Sequence, residues 1–375
     1  MRKALSETIL GDMSSFRIIN CREQPAQSAN DTITKSAKKI NKRYIPSQPE
    51  RILDAPDVVN DYYLQLIDWS STDLLAVALN RDVYVWNAKN GDISNLMSVA
   101  ENDYVSSLSW IPGGSQLAIG TGSNSLFLYD VDTSKKLRTL RGHPNRVSCR
   151  SWNEHILSAG CRSGDIMHHD VRVGKHLVGS SQVHGHEVCG LKWSPTGQYL
   201  ASGGNDNQVY VFNSSCSGET NPTPVYNFDQ HQAAVKAVGW CPWKPSLLAT
   251  GGGTADRAIK IWNTCNGENT YSVDTKSQVC SIIWSLEHQE IISGHGYPTN
   301  ALSIWKYPGL TKVTDLIGHN NRILGLAMSP DGQTVVSLAS DETLRFWDCF
   351  KADKNKKKVD LAAGKENLLS MMTIR

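Results

Sequence analysis

The sequence repeats one pattern of short runs at a nearly constant interval. The clearest copy spans Gly185–Asn213, where three runs of strand-forming residues are separated by turns containing Gly, Pro, Asn and Asp. Such runs predict β-strands joined by tight turns. Aligned on the Trp that ends the first run, the copies fall at Trp69, Trp110, Trp152, Trp193, Trp240 and Trp284, with Met328 in the last copy.

The ends of the third runs repeat with the same period. They fall at Trp86, Tyr129, His169, Phe212, Trp262, Trp305 and Trp347. The spacing is mostly about 40–44 residues, the period of a WD-type propeller blade, and it lengthens only where the loop Ser214–Pro224 is inserted. A closed ring of blades leaves no free sheet edge. The predicted fold class is therefore all-β, a seven-bladed WD40-type β-propeller with a flexible N-terminal arm and C-terminal tail.

The segments that flank the repeats lack this pattern. Residues 1–50 are predicted to form a flexible basic arm, residues 51–350 the propeller, and residues 351–375 a charged flexible tail ending in Ile-Arg. The last copy supplies only three strands before the chain turns polar. Because the apolar run Arg51–Ala55 has no other partner, we expect it to pair with the last blade and close the ring.

Charge and composition exclude several classes of function. The net charge of +2 gives no general attraction to nucleic acid or to a bilayer, and no apolar run reaches the roughly 18 residues of a membrane helix. The nine cysteines lie singly, without a CxxC motif, which is typical of small buried side chains in a reducing compartment. We therefore predict no nucleic-acid partner, no membrane partner and no cofactor.

Histidine and aspartate recur in the blades in a way that argues against catalysis. The histidines His143, His186, His231 and His319 stand at blade starts, and the aspartates Asp206, Asp256 and Asp341 stand in turns before third strands. A catalytic triad would occur once, whereas repeated His–Asp pairs stabilise the turns of WD-type blades. Adjacent His168 and His169 would point to opposite faces of a strand, so no metal site is predicted. The sequence predicts a binding protein rather than an enzyme.

Seven segments carry a resemblance to a known family: Arg43–Pro46, Arg51–Pro56, Asn60–Leu64, His168–Arg172, Glu187–Leu191, Gly251–Thr254 and Gln278–Ser281. They resemble the Fizzy family, the WD-repeat activators of the anaphase-promoting complex, over about residues 43–350. Arg43–Pro46 and Trp240–Trp243 are more similar to the mitotic, cell-division-cycle activator than to the interphase one. The resemblance implies a substrate-recognition and activator subunit of this ubiquitin ligase, located in cytoplasm and nucleus. Its implied partners are the ligase subunits, degron-bearing substrates such as cyclins and securin, and spindle-checkpoint proteins.

The resemblance also implies a site for the KEN-box degron on the top face of the propeller. Its residues are Asp61, Tyr62, Tyr84, Asn205, Thr254, Gln278 and Arg322. Asp61 would pair with the degron Lys and Arg322 with its Glu. Asn205, Thr254 and Gln278 would bind the degron Asn and backbone, although hydrogen bonding within turns is an alternative role for Asn205 and Thr254.

A second implied site, for the destruction box, lies in the seam between the first and last blades. Asp54 and Glu342 would bind the degron Arg, and its Leu would contact the apolar side chains of Leu53 and Val77.

The two ends of the chain carry further expectations. Ile374-Arg375 is similar to the family tail that docks on the ligase, and Lys365–Asn367 is itself a KEN sequence, either a degron for this protein's own turnover or part of a solvated tail. We find neither the family's C-box nor its N-terminal KEN box in residues 1–50. Compared with the family pattern, the N-terminal arm is therefore expected to be shortened. A second hypothesis therefore stays open, that the chain is a scaffold or competitor that binds degrons or checkpoint proteins without activating the ligase.

Overall fold

The computed structural model describes residues 43–351, which form seven four-stranded antiparallel sheets. Strand β1 (Arg51–Asp54) comes first in the chain. Blade 1 comprises β2 (Ile67–Trp69), β3 (Leu74–Leu79), β4 (Asp82–Asn87) and β5 (Ile93–Ser98). Blade 2 comprises β6 (Val105–Trp110), β7 (Gln116–Thr121), β8 (Leu126–Asp130) and β9 (Lys135–Leu140). Blade 3 comprises β10 (Val147–Asn153), β11 (Ile156–Cys161), β12 (Asp165–Asp170) and β13 (Leu177–Gln182).

The remaining blades follow the same order from the innermost to the outermost strand. Blade 4 comprises β14 (Val188–Trp193), β15 (Tyr199–Gly204), β16 (Val209–Asn213) and β17 (Tyr226–Phe228), and blade 5 comprises β18 (Val235–Trp240), β19 (Leu247–Gly252), β20 (Ala258–Asn263) and β21 (Glu268–Asp274). Blade 6 comprises β22 (Val279–Trp284), β23 (Glu290–His295), β24 (Leu302–Lys306) and β25 (Thr311–Leu316). The last blade contains β26 (Ile323–Met328), β27 (Val335–Ala339) and β28 (Thr343–Trp347). The predicted seven-bladed all-β propeller is confirmed.

The first strand closes the ring as the sequence predicts. β1 pairs antiparallel with β28, placing Leu53 opposite Leu344 and Asp54 opposite Thr343. Blade 7 therefore contains β26, β27, β28 and β1, and its innermost strand packs against that of blade 1. The seam between the first and last blades is thus built from both ends of the propeller sequence.

The repeating Trp connects neighbouring blades. It stands at the end of the innermost strand, and in blades 2, 3, 5 and 6 its indole N–H donates to the carbonyl just before the equivalent Trp of the preceding blade. In blade 4, Trp193 donates instead to the Ser158 hydroxyl of blade 3. Trp110 donates to Asp68 O at 3.1 Å, and Trp240 donates to Lys192 O at 2.9 Å. Each such bond contributes about 1 kcal/mol in addition to the burial of the ring, which explains why Trp recurs at this position.

Histidine and aspartate form the structural pairs expected of WD-type blades. In blade 5, His231 Nδ1 lies 2.6 Å from Asp256 Oδ2, while its Nε2 lies 2.7 Å from the hydroxyl oxygen of Thr250. The indole N–H of Trp262 donates to the same hydroxyl at 2.7 Å. Blade 7 repeats the arrangement with His319, Asp341, Ser337 and Trp347.

In blade 4 the prediction that His186 is the histidine of the His–Asp pair is wrong. His184, not His186, lies 2.9 Å from Asp206, and it also contacts the Ser202 hydroxyl at 2.9 Å. His186 is exposed on the top face. The two histidines are two residues apart, and only His184 lies deep enough in the turn for its ring to reach into the blade.

In blade 3 the predicted histidine forms no His–Asp pair. Ser163 occupies the turn position that Asp206 holds in blade 4, so no carboxylate of residues 43–351 pairs with His143. Its Nδ1 instead lies 2.9 Å from Cys161 Sγ, and its Nε2 lies 3.0 Å from Nε2 of His169.

Two further features of the described residues bear on the class of protein. Eight cysteines are free thiols there, and all but Cys265 are buried. Residues 43–351 include no helix that is both long and apolar enough to cross a membrane.

Candidate peptide-binding surfaces

One segment, Asn60–Tyr63, organises the top face, which carries the turns that lead into the innermost strands. It precedes β2 and crosses the mouth of the central channel. The hydroxyl of Tyr62 donates to Val279 O on blade 6 at 3.2 Å, and Lys236 Nζ on blade 5 lies 5.5 Å from the centre of its ring. Burial raises the pKa of Tyr62 well above its ordinary value, so the hydroxyl stays a hydrogen-bond donor. The segment is therefore fixed to the opposite side of the ring.

Two predicted KEN-site residues contact this segment from blades 7 and 4. The guanidinium of Arg322 donates through Nε to Asn60 Oδ1 at 2.6 Å and through Nη2 to Asn60 O at 2.7 Å. The Tyr63 hydroxyl donates to Asn205 Oδ1 at 3.0 Å. Both contacts hold polar groups of the predicted site beside Asn60–Tyr63.

Thr254 and Gln278 form a second polar pair on the top face. The exposed Thr254 hydroxyl donates to Oε1 of the buried Gln278 at 2.9 Å. Among the described residues, Gln278 Nε2 has only the sulfur of Cys280, at 3.5 Å, as a partner. Because a thiol is a weak acceptor, this amide retains donor capacity towards a ligand.

Tyr84 lies apart from these residues. It is in β4 of blade 1, paired with Val77 of β3 in the register. Within residues 43–351 it has no hydrogen bond, ion pair or ring contact with the other predicted KEN-site residues. The structure thus pairs Tyr84 with a residue predicted for the destruction box, not with one predicted for the KEN box.

Asp61 belongs to an ion-pair network. Arg146 donates to Asp61 Oδ2 at 2.9 Å, and to Glu187 through Nε at 2.7 Å and Nη2 at 2.8 Å. Arg146 and Glu187 are buried. Burial lowers the pKa of Arg146, but its hydrogen bonds with Glu187 and Tyr104 outweigh burial, and the pKa is raised. The carboxylate of Asp61 is therefore oriented by a cation that stays charged.

Arg146 and Glu187 are not among the residues predicted from the sequence, although the repeat contains a signal for them. Both occupy the residue just before the innermost strand of their blade. Gln278 and Arg322, which were predicted, occupy the same position. The full set from blade 2 to blade 7 is Tyr104, Arg146, Glu187, Ala234, Gln278 and Arg322.

A cavity of about 450 Å³ opens on the top face at this network. Its lining residues are Asp61, Tyr63, Arg146, Arg162, His186, Glu187 and Asn205. Carboxylates, guanidinium groups and amides meet there, which suits a short charged peptide better than an apolar ligand.

The four residues predicted for the destruction box meet in the seam. Asp54 ends β1, and the carbonyl of Glu342 accepts a hydrogen bond from the N–H of the next residue, Ala55, at 2.7 Å. Both carboxylates are exposed, and neither forms an ion pair with any residue of 43–351. Leu53 is half-buried against the hydrophobic core that contains Val77. The seam thus presents two free carboxylates beside an apolar surface.

Other expectations fall outside the described residues. These are the docking residues Ile374 and Arg375, the KEN sequence Lys365–Asn367, and residues 1–42 of the arm.

The ring of blades and its structural His–Asp pairs define this protein as a WD-type propeller. The chain belongs to the CDC20/Fizzy family, since the family model described as the CDC20/Fizzy WD40 domain matches residues 53–347. It is 47% identical to the Dictyostelium discoideum protein named anaphase-promoting complex subunit cdc20, over 96% of this chain and 72% of that protein. It is 46% identical to the Schizosaccharomyces pombe WD repeat-containing protein slp1, over 92% of this chain and 69% of that protein.

A solved structure extends the likeness to three dimensions. A chain in the crystal structure of a mitotic checkpoint complex matches with a TM-score of 0.80 and 49% identity, over 84% of this chain and 99% of that one. The expected family resemblance is confirmed.

Proposed function

We propose that this chain is a substrate-recognition and activator subunit of the anaphase-promoting complex, of the mitotic type, that binds KEN-box and destruction-box degrons. The names of the relatives support the ligase and the checkpoint complex as partners. The observation that carries the degron assignment is the segment Asn60–Tyr63, which holds the carboxylate of Asp61 and the guanidinium of Arg322 on one polar face. The protein acts by holding peptides, not by catalysis, in cytoplasm and nucleus.

The top face offers a complementary group for each residue of a KEN peptide. The degron Lys pairs with Asp61, whose carboxylate is oriented by Arg146. The degron Glu binds Arg322, which uses Nε and Nη2 for Asn60 and keeps the N–H groups of Nη1 for a ligand. The degron Asn receives a hydrogen bond from the side-chain amide of Gln278.

The seam offers the complementary groups for a destruction box. The carboxylates of Asp54 and Glu342 bind the degron Arg, because a planar guanidinium is well matched to carboxylate oxygens. The degron Leu packs on Leu53 above the core that contains Val77.

Titration of a labelled KEN peptide tests the top-face site. Arg322→Ala removes a charge-assisted contact, which costs about 1–3 kcal/mol and weakens binding about 5- to 150-fold. Asn60→Ala is the matched control, since it removes one partner of Arg322 but leaves the guanidinium in place, and it binds much more tightly than Arg322→Ala. Equal affinities for the wild type and Arg322→Ala would reject the site.

A destruction-box peptide tests the seam in the same format. Asp54→Ala weakens this peptide and leaves the KEN peptide unchanged, whereas Glu101→Ala, at an exposed carboxylate outside the seam, changes neither. If Asp54→Ala weakened both peptides equally, the division into two sites would be wrong.

An assay with purified ligase separates activation from capture. An activator increases ubiquitination of a KEN-bearing substrate, and the Arg322→Ala variant increases it less. A protein that binds both peptides without stimulating the ligase would instead be the scaffold or competitor of the second hypothesis.

A further inference from the structure

A ring of side chains inside the central channel contains one cation among aliphatic residues. The ring consists of the residues two positions before the repeating Trp, or before Met328 in blade 7. It comprises Ile67, Leu108, Arg150, Leu191, Val238, Ile282 and Leu326, all of which line one channel cavity of about 360 Å³. Arg150 therefore occupies, in blade 3, a position that six other blades fill with an aliphatic side chain.

The guanidinium of Arg150 has no hydrogen-bond partner among residues 43–351. Arg150 is 3% exposed, and its Nε, Nη1 and Nη2 atoms form no hydrogen bond with any residue of the described chain. Burial lowers its pKa to about 9, so it is still largely protonated at neutral pH. The nearby carboxylate of Asp68 favours the charged form of Arg150, but no hydrogen bond joins the two side chains. A buried guanidinium with no hydrogen-bonded acceptor is unfavourable, which indicates a partner from outside the chain.

The surrounding backbone makes room for this side chain but gives it no acceptor. A side chain at Gly120 would place its Cβ 2.5 Å from Nη1 of Arg150, so the guanidinium occupies space that the glycine leaves open. The nearby hydroxyls of Ser106 and Ser107 both point to Val147 O, each at 2.6 Å.

Other charges along the channel cavity also favour an anion. Lys192 and Lys236 line it with Arg150, against a single carboxylate, that of Asp68. Asp68 is already engaged, since it accepts hydrogen bonds from the backbone N–H groups of Trp110 at 2.8 Å and Trp69 at 3.0 Å. The cavity therefore has an excess of positive charge that the protein does not neutralise.

We propose that the central channel binds a small tetrahedral oxyanion of the phosphate or sulfate class at Arg150. The fork of guanidinium N–H groups matches two oxygens of such an anion at once. The bound anion neutralises Arg150, which stabilises the folded ring. This site is independent of the degron sites and does not require the proposed function.

Thermal unfolding of the full chain tests this site with inorganic phosphate as the probe. Ionic strength is held constant with potassium chloride, and acetate serves as a carboxylate comparison. The melting temperature of the wild type rises with phosphate and saturates, as expected for a ligand of the native state. Arg150→Leu gives blade 3 the leucine that the neighbouring blades have at this ring position. This variant is expected to fold without phosphate and to lose the saturable rise in melting temperature. Arg172→Leu, at an exposed arginine, keeps it.

Phosphorus NMR gives a second measurement that does not depend on stability. The wild type broadens the phosphate signal, and Arg150→Leu weakens binding about tenfold or more, because the bidentate contact is lost. An equal response of both proteins would assign the effect to general salt stabilisation and overturn the proposal. No response of the wild type, or a response to acetate alone, would also overturn it.

Discussion

The ion pair between Arg146 and Glu187 allows a quantitative test of how the top face is held. Arg146→Met removes four charge-assisted hydrogen bonds, three of them to carboxylates, and leaves the buried carboxylate of Glu187 without its cation. Breaking a buried pair in this way costs about 3–5 kcal/mol. Glu187→Gln keeps one acceptor oxygen and leaves Asp61 on Arg146, so its expected cost is smaller, about 1.5–3 kcal/mol.

The double variant separates pairing from burial. With both Arg146→Met and Glu187→Gln, neither member of the pair is left as an uncompensated buried charge. We therefore expect a total loss well below the sum of the single losses, with a coupling energy of about 2–3 kcal/mol.

Urea unfolding at pH 7, followed by tryptophan fluorescence, measures all three variants, provided that the slope with urea is unchanged. Lys89 and Asp73 provide a matched exposed pair, 3.2 Å apart with side chains 69% and 33% exposed. Their coupling is expected to be about 0–1 kcal/mol. Additive losses for Arg146 and Glu187 would refute the reasoning, since the pair would then contribute no more than its separate parts.

Two further predictions concern pH and the tail. Burial lowers the pKa of His143, His168 and His295 to about 4 in the folded protein. The unfolded chain takes up protons first, near pH 6.5, so each histidine's contribution is complete above that pH and is reduced by about 1.4 kcal/mol at pH 5.5. Urea unfolding measures how much free energy of unfolding is lost between pH 7.5 and 5.5, and His295→Gln is expected to lose less than the wild type. An identical loss in both proteins would contradict this. Replacing Glu366 and Asn367 by Ala lengthens the protein's half-life in cycling cells if the tail is a degron, and an unchanged half-life would make the motif accidental.

The fold was predictable because its information is periodic. The Trp spacing reports the innermost strands, and the apolar run Arg51–Ala55 could be assigned to the last blade because it had no other partner. The choice between His184 and His186 was not predictable, since both lie in the same turn and only the depth of each ring decides which one reaches Asp206. Ser163 in place of that aspartate did signal the exception at His143.

The candidate site was predictable in part. Family likeness supplied the individual residues, and the structure joins Asn205 and Arg322 to the segment Asn60–Tyr63, which itself contains Asp61 and Tyr62. The pairing of Arg146 with Glu187 depends on how adjacent blades face each other, which spacing along one strand does not contain. Arg150 could have been found from the sequence, because it is the single cation in an aliphatic repeat position. That it lacks a partner required the coordinates.

The central claim is that one propeller binds two degrons at separate sites, and calorimetry can test it directly. A destruction-box peptide is titrated into the protein alone and into the protein saturated with KEN peptide. The account predicts the same affinity and the same stoichiometry in both titrations, since Asp54 and Arg322 belong to different surfaces. Loss of destruction-box binding in the presence of the KEN peptide would show a shared site and contradict the account.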